Sequence, residues 1–199
     1  MKNKLIIINI KKYYLGKLYA ACQSYFFDMI ACDFLDWSQM SYLFSIKSQL
    51  RFCQRILTRY VIFKNLKGNK KLYKKPTGED YIIINNSVAY ISFSYSKNYI
   101  IECFSQKKLG VDIEEIVSDL PLSIINKNAI LKRKLVSGSL TQESFTKLWT
   151  IQESYCKYMQ VGLKEMFKKE QIRGVRSLRL KNTWISYVSD CNMSIQFIN

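Results

Sequence analysis

Apolar and polar positions along this chain fall into two distinct periods, and the change of period marks its elements. Leu5 to Ile10 is a short, unbroken apolar run closed by Lys11-Lys12, which reads as a first strand and not as a secretion signal. An apolar helix follows near Lys17 to Leu35. A second helix is expected near Ile46 to Lys64, with Leu50, Cys53, Leu57 and Tyr60 on one face and Arg51, Arg55 and Arg59 on another. Lys64 to Lys75 is rich in lysine, carries Gly68-Asn69 and reads as a surface loop.

Period-two alternation then takes over. Strands are predicted at Tyr81 to Ile84, Val88 to Phe93, Tyr99 to Phe104 and Leu109 to Glu114, the middle pair forming a hairpin. Glu115 to Gly138 holds Pro121, Asn126, Asn128 and the basic cluster Lys132-Arg133-Lys134, and reads as a mobile connection with some helix. Helical spacing returns in Phe145, Leu148, Trp149, Tyr155, Cys156 and Met159, with Ser139 and Gln142 as a capping box and Gly162 as a stop. Gln171 to Leu180, Thr183 to Val188 and Met193 to Ile198 complete the pattern as strands. The sum is an α+β chain without repeats, heptads or low-complexity linkers.

Two of these segments carry candidate chemistry. In Leu109 to Glu114, alternation puts Asp112 and Glu114 on the same face of a strand, where two carboxylates repel unless a hard cation such as magnesium neutralises them. A solvent-facing polar strand is the simpler reading of that triplet alone. In the helix, Glu153 and Lys157 lie four residues apart and share a face, with Trp149 one turn earlier; by itself this is an ordinary surface pair.

Charge and composition narrow the classes. The chain has 199 residues, 31 Lys and Arg against 15 Asp and Glu, and a formal net charge of +16, so an anionic partner is expected: nucleic acid, an acidic membrane surface, a phosphorylated cofactor or an acidic protein. Its 48% of apolar residues suffice for a packed core. No stretch approaches the ~20 apolar residues needed to span a membrane. Six cysteines without a C-x-x-C pair, together with the absence of histidine, argue against zinc and for reduced core thiols in a cytoplasmic protein.

Taken together, Gly110 to Glu114 and Trp149 to Lys157 resemble the Sfp-type 4'-phosphopantetheinyl transferase family. There a G-V/I-D-I/V-E strand precedes a W-S/T-x-K-E-S/A-x-x-K helix in the same order. Lys75-Pro76 sits where that family carries G-K-P, and Ile91 to Ser96 where it carries F-N-I-S-H-S. The resemblance covers about residues 50 to 165.

It implies a fold of two similar α+β halves packed face to face, here residues 1–105 on the coenzyme A side and 106–199 carrying the metal and the catalytic helix. It implies magnesium on Asp112, Glu114 and Glu153, gripping the pyrophosphate of coenzyme A as co-substrate. Lys157 would add positive charge, and Glu153 could deprotonate the attacking serine of an acidic acyl or peptidyl carrier protein. Lys75 and Pro76 would contact a coenzyme A phosphate, Ser94, Tyr95 and Ser96 would lie against the 3'-phosphate or ribose, and Arg51 would reach the 3'-phosphate. The Lys132 cluster would suit the carrier.

Three departures stand out. Tyr95 replaces the family histidine and cannot carry its charge, so weaker coenzyme A binding is expected. Gln152 replaces a lysine, and Lys74 a glycine. Two alternatives remain open beside an active monomeric enzyme. One is an inactive relative that only binds carriers. The other is a basic nucleic-acid-binding protein, for which the Arg173, Arg176, Arg179 row speaks, although no nucleic-acid motif is present and that idea gives no reason for three spaced carboxylates.

Overall fold

The computed structural model describes residues 3–11, 15–75, 80–166 and 172–198. Pro76 and the start of the Gln171 to Leu180 segment lie outside them. The described residues form an α+β fold with one mixed and one antiparallel sheet and seven helices.

The larger sheet has the order β2-β3-β4-β5-β1-β9. Its strands are β1 (Lys4–Asn9), β2 (Lys70–Lys74), β3 (Asp80–Ile84), β4 (Ser87–Tyr95), β5 (Tyr99–Ser105) and β9 (Ser194–Ile198). All pairings are antiparallel except that of β1 with β9. The smaller antiparallel sheet is β6 (Leu109–Glu115), β8 (Thr183–Ser189) and β7 (Arg176–Leu180), in that order. The C-terminal strand β9 therefore joins the sheet built by the first half of the chain.

Strand alternation explains the layering. On β1 and β5, Ile6, Ile8, Ile100 and Phe104 face a helical layer made by α1 (Leu15–Ala31) and α3 (Gln49–Asn65). Leu5, Ile7, Ile101 and Cys103 face the other way, onto Leu109, Val111 and Ile113 of β6 and Ile185 of β8. Central strands covered on both faces read as continuous apolar runs, which is why Leu5 to Ile10 shows no alternation. Against the outer face of the small sheet lies α6 (Gln142–Met159).

Several sequence expectations need correction. The first helix stops at Ala31, because Asp33 turns left-handed (φ 49°) and Leu35 bridges to Leu72. An unforeseen helix α2 (Trp37–Phe44) follows, N-capped by Asp36. The lysine-rich loop contains strand β2, whose Leu72 is buried while its lysines flank it. Asn85 and Asn86, both at positive φ (47° and 65°), make the tight β3–β4 hairpin.

The connection from Glu115 to Gly138 carries two short helices, α4 (Leu122–Ile125) and α5 (Ala129–Val136), pinned by buried Ile125 and Leu131 against Leu140 and Phe145. Helix α6 is capped by Thr141 and Ser144, not Ser139 and Gln142. It ends on Gln160 in the left-handed conformation (φ 58°), two residues before Gly162. A four-residue helix α7 (Leu163–Met166) follows. Four of the six cysteines are buried, as expected, but Cys32 is exposed and Cys191 half-buried.

Candidate functional site

Strand β6 is the foundation of the site. With Leu109, Val111 and Ile113 in the core between the sheets, Gly110, Asp112 and Glu114 must face α6. Gly110 is required there, since a Cβ would stand 2.1 Å from the Ser154 carbonyl oxygen and 2.5 Å from the Tyr158 nitrogen. The missing side chain lets α6 settle onto the strand. Glu153 and Lys157, on the same helix face one turn apart, are thereby brought to Asp112.

Asp112, Glu114 and Glu153 each offer a carboxylate oxygen, and these oxygens lie within 4.8 Å of one another. Asp112 is 1% exposed. Its Oδ1 accepts hydrogen bonds from Ser94 Oγ (2.7 Å) and Lys157 Nζ (2.8 Å), whereas its buried Oδ2 has no partner among the described residues while Glu153 is ionised; a protonated Glu153 hydrogen-bonds to Asp112. A buried, unsatisfied carboxylate oxygen costs free energy that a bound cation would offset. Burial pushes both Glu114 and Glu153 up to about 7, reinforced by the charge of Asp112 and opposed by Lys157. Three crowded hard oxygen donors suit magnesium.

Lys157 is more constrained than expected. Besides Asp112, it donates to the backbone oxygens of Val111 (3.0 Å) and Phe93 (3.3 Å). It thus ties α6 to both sheets. Gln152, the residue in place of the family lysine, turns away from the carboxylates into the protein interior, where its Oε1 accepts from Asn128 Nδ2 at 2.8 Å. Asn128 in turn caps α5 through Ile130 N and Leu131 N.

A cleft of ≈ 1560 Å³ opens beside this cluster. Among the described residues the β3–β4 ladder ends at Tyr81 and Tyr90, and Ile91 to Tyr95 of β4 lie along the cleft. Glu153, Lys157, Ser94 and Tyr95 line it, together with Arg51 and Lys75. Of the expected site residues, Ser96 is set apart: it lies in the β4–β5 turn, its hydroxyl accepting from Tyr99 N and its carbonyl from Gln54 Nε2. Asp112 and Glu114 are not among the residues that line it.

The arginine row is not a solvated face. Arg51 is exposed at the cleft, Arg55 lies over the Tyr95 ring, and Arg59 is buried (1% exposed), bonded to Gln39 Oε1 at 2.9 Å and paired with Asp80 at 3.4 Å. Asp80 also accepts from Gln39 and Lys74, which fixes the start of β3 beside the strand that leads to Lys75. Sequence reasoning singled out Arg51 and passed over Arg55, Lys47 and Lys74 as lining residues. The four-residue spacing of Arg51 and Arg55 is the one signal that could have paired them.

No protein-family model matches this sequence, and no curated protein matches it. No helix among the described residues is long and apolar enough to cross a membrane.

Proposed function

We propose that this protein is a magnesium-dependent transferase that moves the 4'-phosphopantetheine arm of coenzyme A onto a serine of an acidic apo acyl or peptidyl carrier protein. The observation that carries the reading is the convergence of Asp112, Glu114 and Glu153, with an orphaned buried oxygen on Asp112, beside a cationic cleft that Glu153 lines. These are the residues the family resemblance singles out. The face-to-face sheets, each with helices outside, support a two-half architecture of the phosphopantetheinyl transferase kind, with β9 of the second half added to the sheet of the first.

Asp112, Glu114 and Glu153 would hold the ion. When bound, magnesium supplies charge neutralisation and Lewis-acid polarisation of phosphate oxygens. The rest falls to the chain. Glu153, the one of the three carboxylates that lines the cleft, is placed to accept the serine proton. The serine oxygen bonds to the phosphorus next to the pantetheine arm, and the phosphorus–oxygen bond to the nucleotide breaks, releasing adenosine 3',5'-bisphosphate. Lys157 keeps positive potential beside Asp112 while that charge develops. The lysine-lined cleft and the net charge of +16 favour an anionic co-substrate and an acidic carrier, encountered faster at low salt. A monomer working in the cytoplasm fits this reading.

Intact-mass analysis of apo carrier proteins incubated with the protein, coenzyme A and magnesium tests it. A gain of one phosphopantetheine mass, lost in Asp112→Ala and Glu153→Gln, is expected. Carrier binding without any gain would leave an inactive relative instead, and tight binding to random oligonucleotides unaffected by Glu153→Gln would favour a nucleic-acid protein.

A further inference from the structure

On the side away from the cleft the two sheets end in edge strands. β6 lies against β4 and β5, and β8 shares a core with Leu5 and Ile7 of β1, so the next strands outward are β9 in the large sheet and β7 in the small one. Each is paired on one side only among the described residues. Ile195 and Phe197 stand beside Leu5 and Ile7 in the register and therefore face the space between the sheets. Yet they are 42% and 54% exposed, and Leu178 and Leu180, on the inner face of β7, are only half-buried. The apolar layer that fills the sandwich stops short of its last strand.

Edge strands are commonly guarded by lysine, proline, a bulge or an inward charge. β9, with the sequence Ser-Ile-Gln-Phe-Ile, carries no charge and no proline. Its free backbone N–H and C=O groups are a template for a further strand, and Ile195 and Phe197 make one face of that template apolar. The opposite face is cationic. Lys4, beside Ser194 in the register, donates to two neutral oxygens, Asn65 Oδ1 (3.2 Å) and Gln196 Oε1 (3.3 Å), and among the described residues it has no carboxylate partner. Arg176 is exposed at the rim of the inner face, where β7 alternation puts it with Leu178 and Leu180. The one acidic side chain between residues 172 and 198, Asp190, already accepts the Tyr158 hydroxyl at 2.6 Å.

Independently of the transferase reading, we infer that β9 receives a strand from an acidic protein partner, an extended segment whose residues alternate between apolar and acidic. Its apolar side chains continue the layer over Ile195 and Phe197, and its carboxylates meet Lys4 on the other face. Its backbone completes the hydrogen bonds of the edge, which gives affinity, while the alternation gives specificity. A second copy of this chain fits poorly, because β9 has no carboxylate to offer Lys4 and each copy carries a net charge of +16.

Fluorescence anisotropy of a labelled peptide of alternating valine and glutamate, titrated with the whole chain, tests this. The peptide should bind, more weakly as salt rises, and amide hydrogen exchange should slow at residues 194–198. Phe197→Ser and Lys4→Glu should each weaken binding by about tenfold, the size of one buried aromatic side chain or one close charge pair, with the melting temperature little changed. The same peptide methylated on its backbone nitrogens should not bind. Absence of binding, equal binding of a valine–lysine peptide, binding by the methylated peptide, or exchange protection only outside β9 overturns the inference. Sedimentation that shows self-association abolished by Phe197→Ser overturns it as well, with a second copy as the occupant. The carrier assay decides the transferase reading separately.

Discussion

Gly110 and Ser154 meet with no room for a side chain between them: a Cβ on Gly110 would lie 2.1 Å from the Ser154 carbonyl oxygen. The obstructing atoms belong to the helix backbone, so no rotamer change can relieve the clash. Gly110→Ala must lift α6 from β6, costing roughly 1–3 kcal/mol or more, the range for overpacking. Because Glu153 and Lys157 ride on that helix, the carboxylate cluster separates as well. The variant should melt lower and show a weaker thermal shift with magnesium than the unaltered chain. An unchanged magnesium shift would mean that the close approach does not set the site.

Among the described residues Lys157 is the one cation bonded to the buried Asp112, and its side chain is 32% exposed. Lys157→Met removes it and leaves three carboxylates facing one another. Discounted for that partial exposure, the loss should be roughly 1–3 kcal/mol. It should be larger at pH 8 than at pH 5, where Glu114 and Glu153 are protonated. Asp112→Asn should do the opposite: apo stability is kept or raised at pH 8, while the magnesium response disappears. Denaturant melts of both variants at the two pH values check this. Equal effects at both would show that the carboxylates do not crowd.

Magnesium affinity should rise with pH. Glu114 and Glu153 are pushed up to about 7, from 4.5, by burial first and by the Asp112 charge second. Between 4.5 and 7 the folded chain holds protons that the unfolded chain has released, so without metal their stabilising contribution is present below 4.5 and lost as pH rises through 7. At pH 6 an incoming cation must displace those protons, and at pH 8 it need not. Titrations in buffers of different ionisation enthalpy should show proton release at pH 6 and almost none at pH 8. A pH-independent affinity would rule out ligation by these two glutamates.

How much of this was legible in the sequence differs by residue. Asp112 and Glu114 on one face, and Glu153 and Lys157 on another, follow from periods of two and 3.6, and those periods survive folding. What linear periodicity cannot show is which faces meet. The Lys157 bonds to Val111 and Phe93 span 46 and 64 residues, and β9 pairs with β1 from the far end of the chain. Nothing local announces such contacts. The β2 strand was hidden because lysines flank its one buried residue, Leu72, so composition read as loop. Helix ends moved for a related reason. Thr141 and Ser144 form a capping pair without the Glu or Gln that marks one in a sequence, and Gln160 adopts a left-handed turn that a glycine was expected to supply.

Glu102 makes the sharpest case for a stability test outside the site. It sits on β5 opposite Ile6 of β1 and Phe93 of β4, is 0% exposed, and neither carboxylate oxygen has a partner among the described residues. Alternation puts it on the face that packs against α1 and α3, among Ile100, Phe104 and Ile6. Burial alone raises its pKa well above 4.5. The folded chain therefore carries it protonated over a pH range in which the unfolded chain has lost the proton. Its contribution is fully present below about 4.5 and is lost progressively as pH rises toward its folded value. Glu102→Leu removes both the titration and the unsatisfied oxygens, and should stabilise the fold by roughly 1–3 kcal/mol at pH 8 with a much smaller gain near pH 4.5. Thermal melts of the two chains between pH 4.5 and 8 should diverge as pH rises. Parallel curves would mean that Glu102 is ionised and paired in the folded protein, and a destabilised Glu102→Leu at every pH would mean that the core cannot accept the branched side chain there.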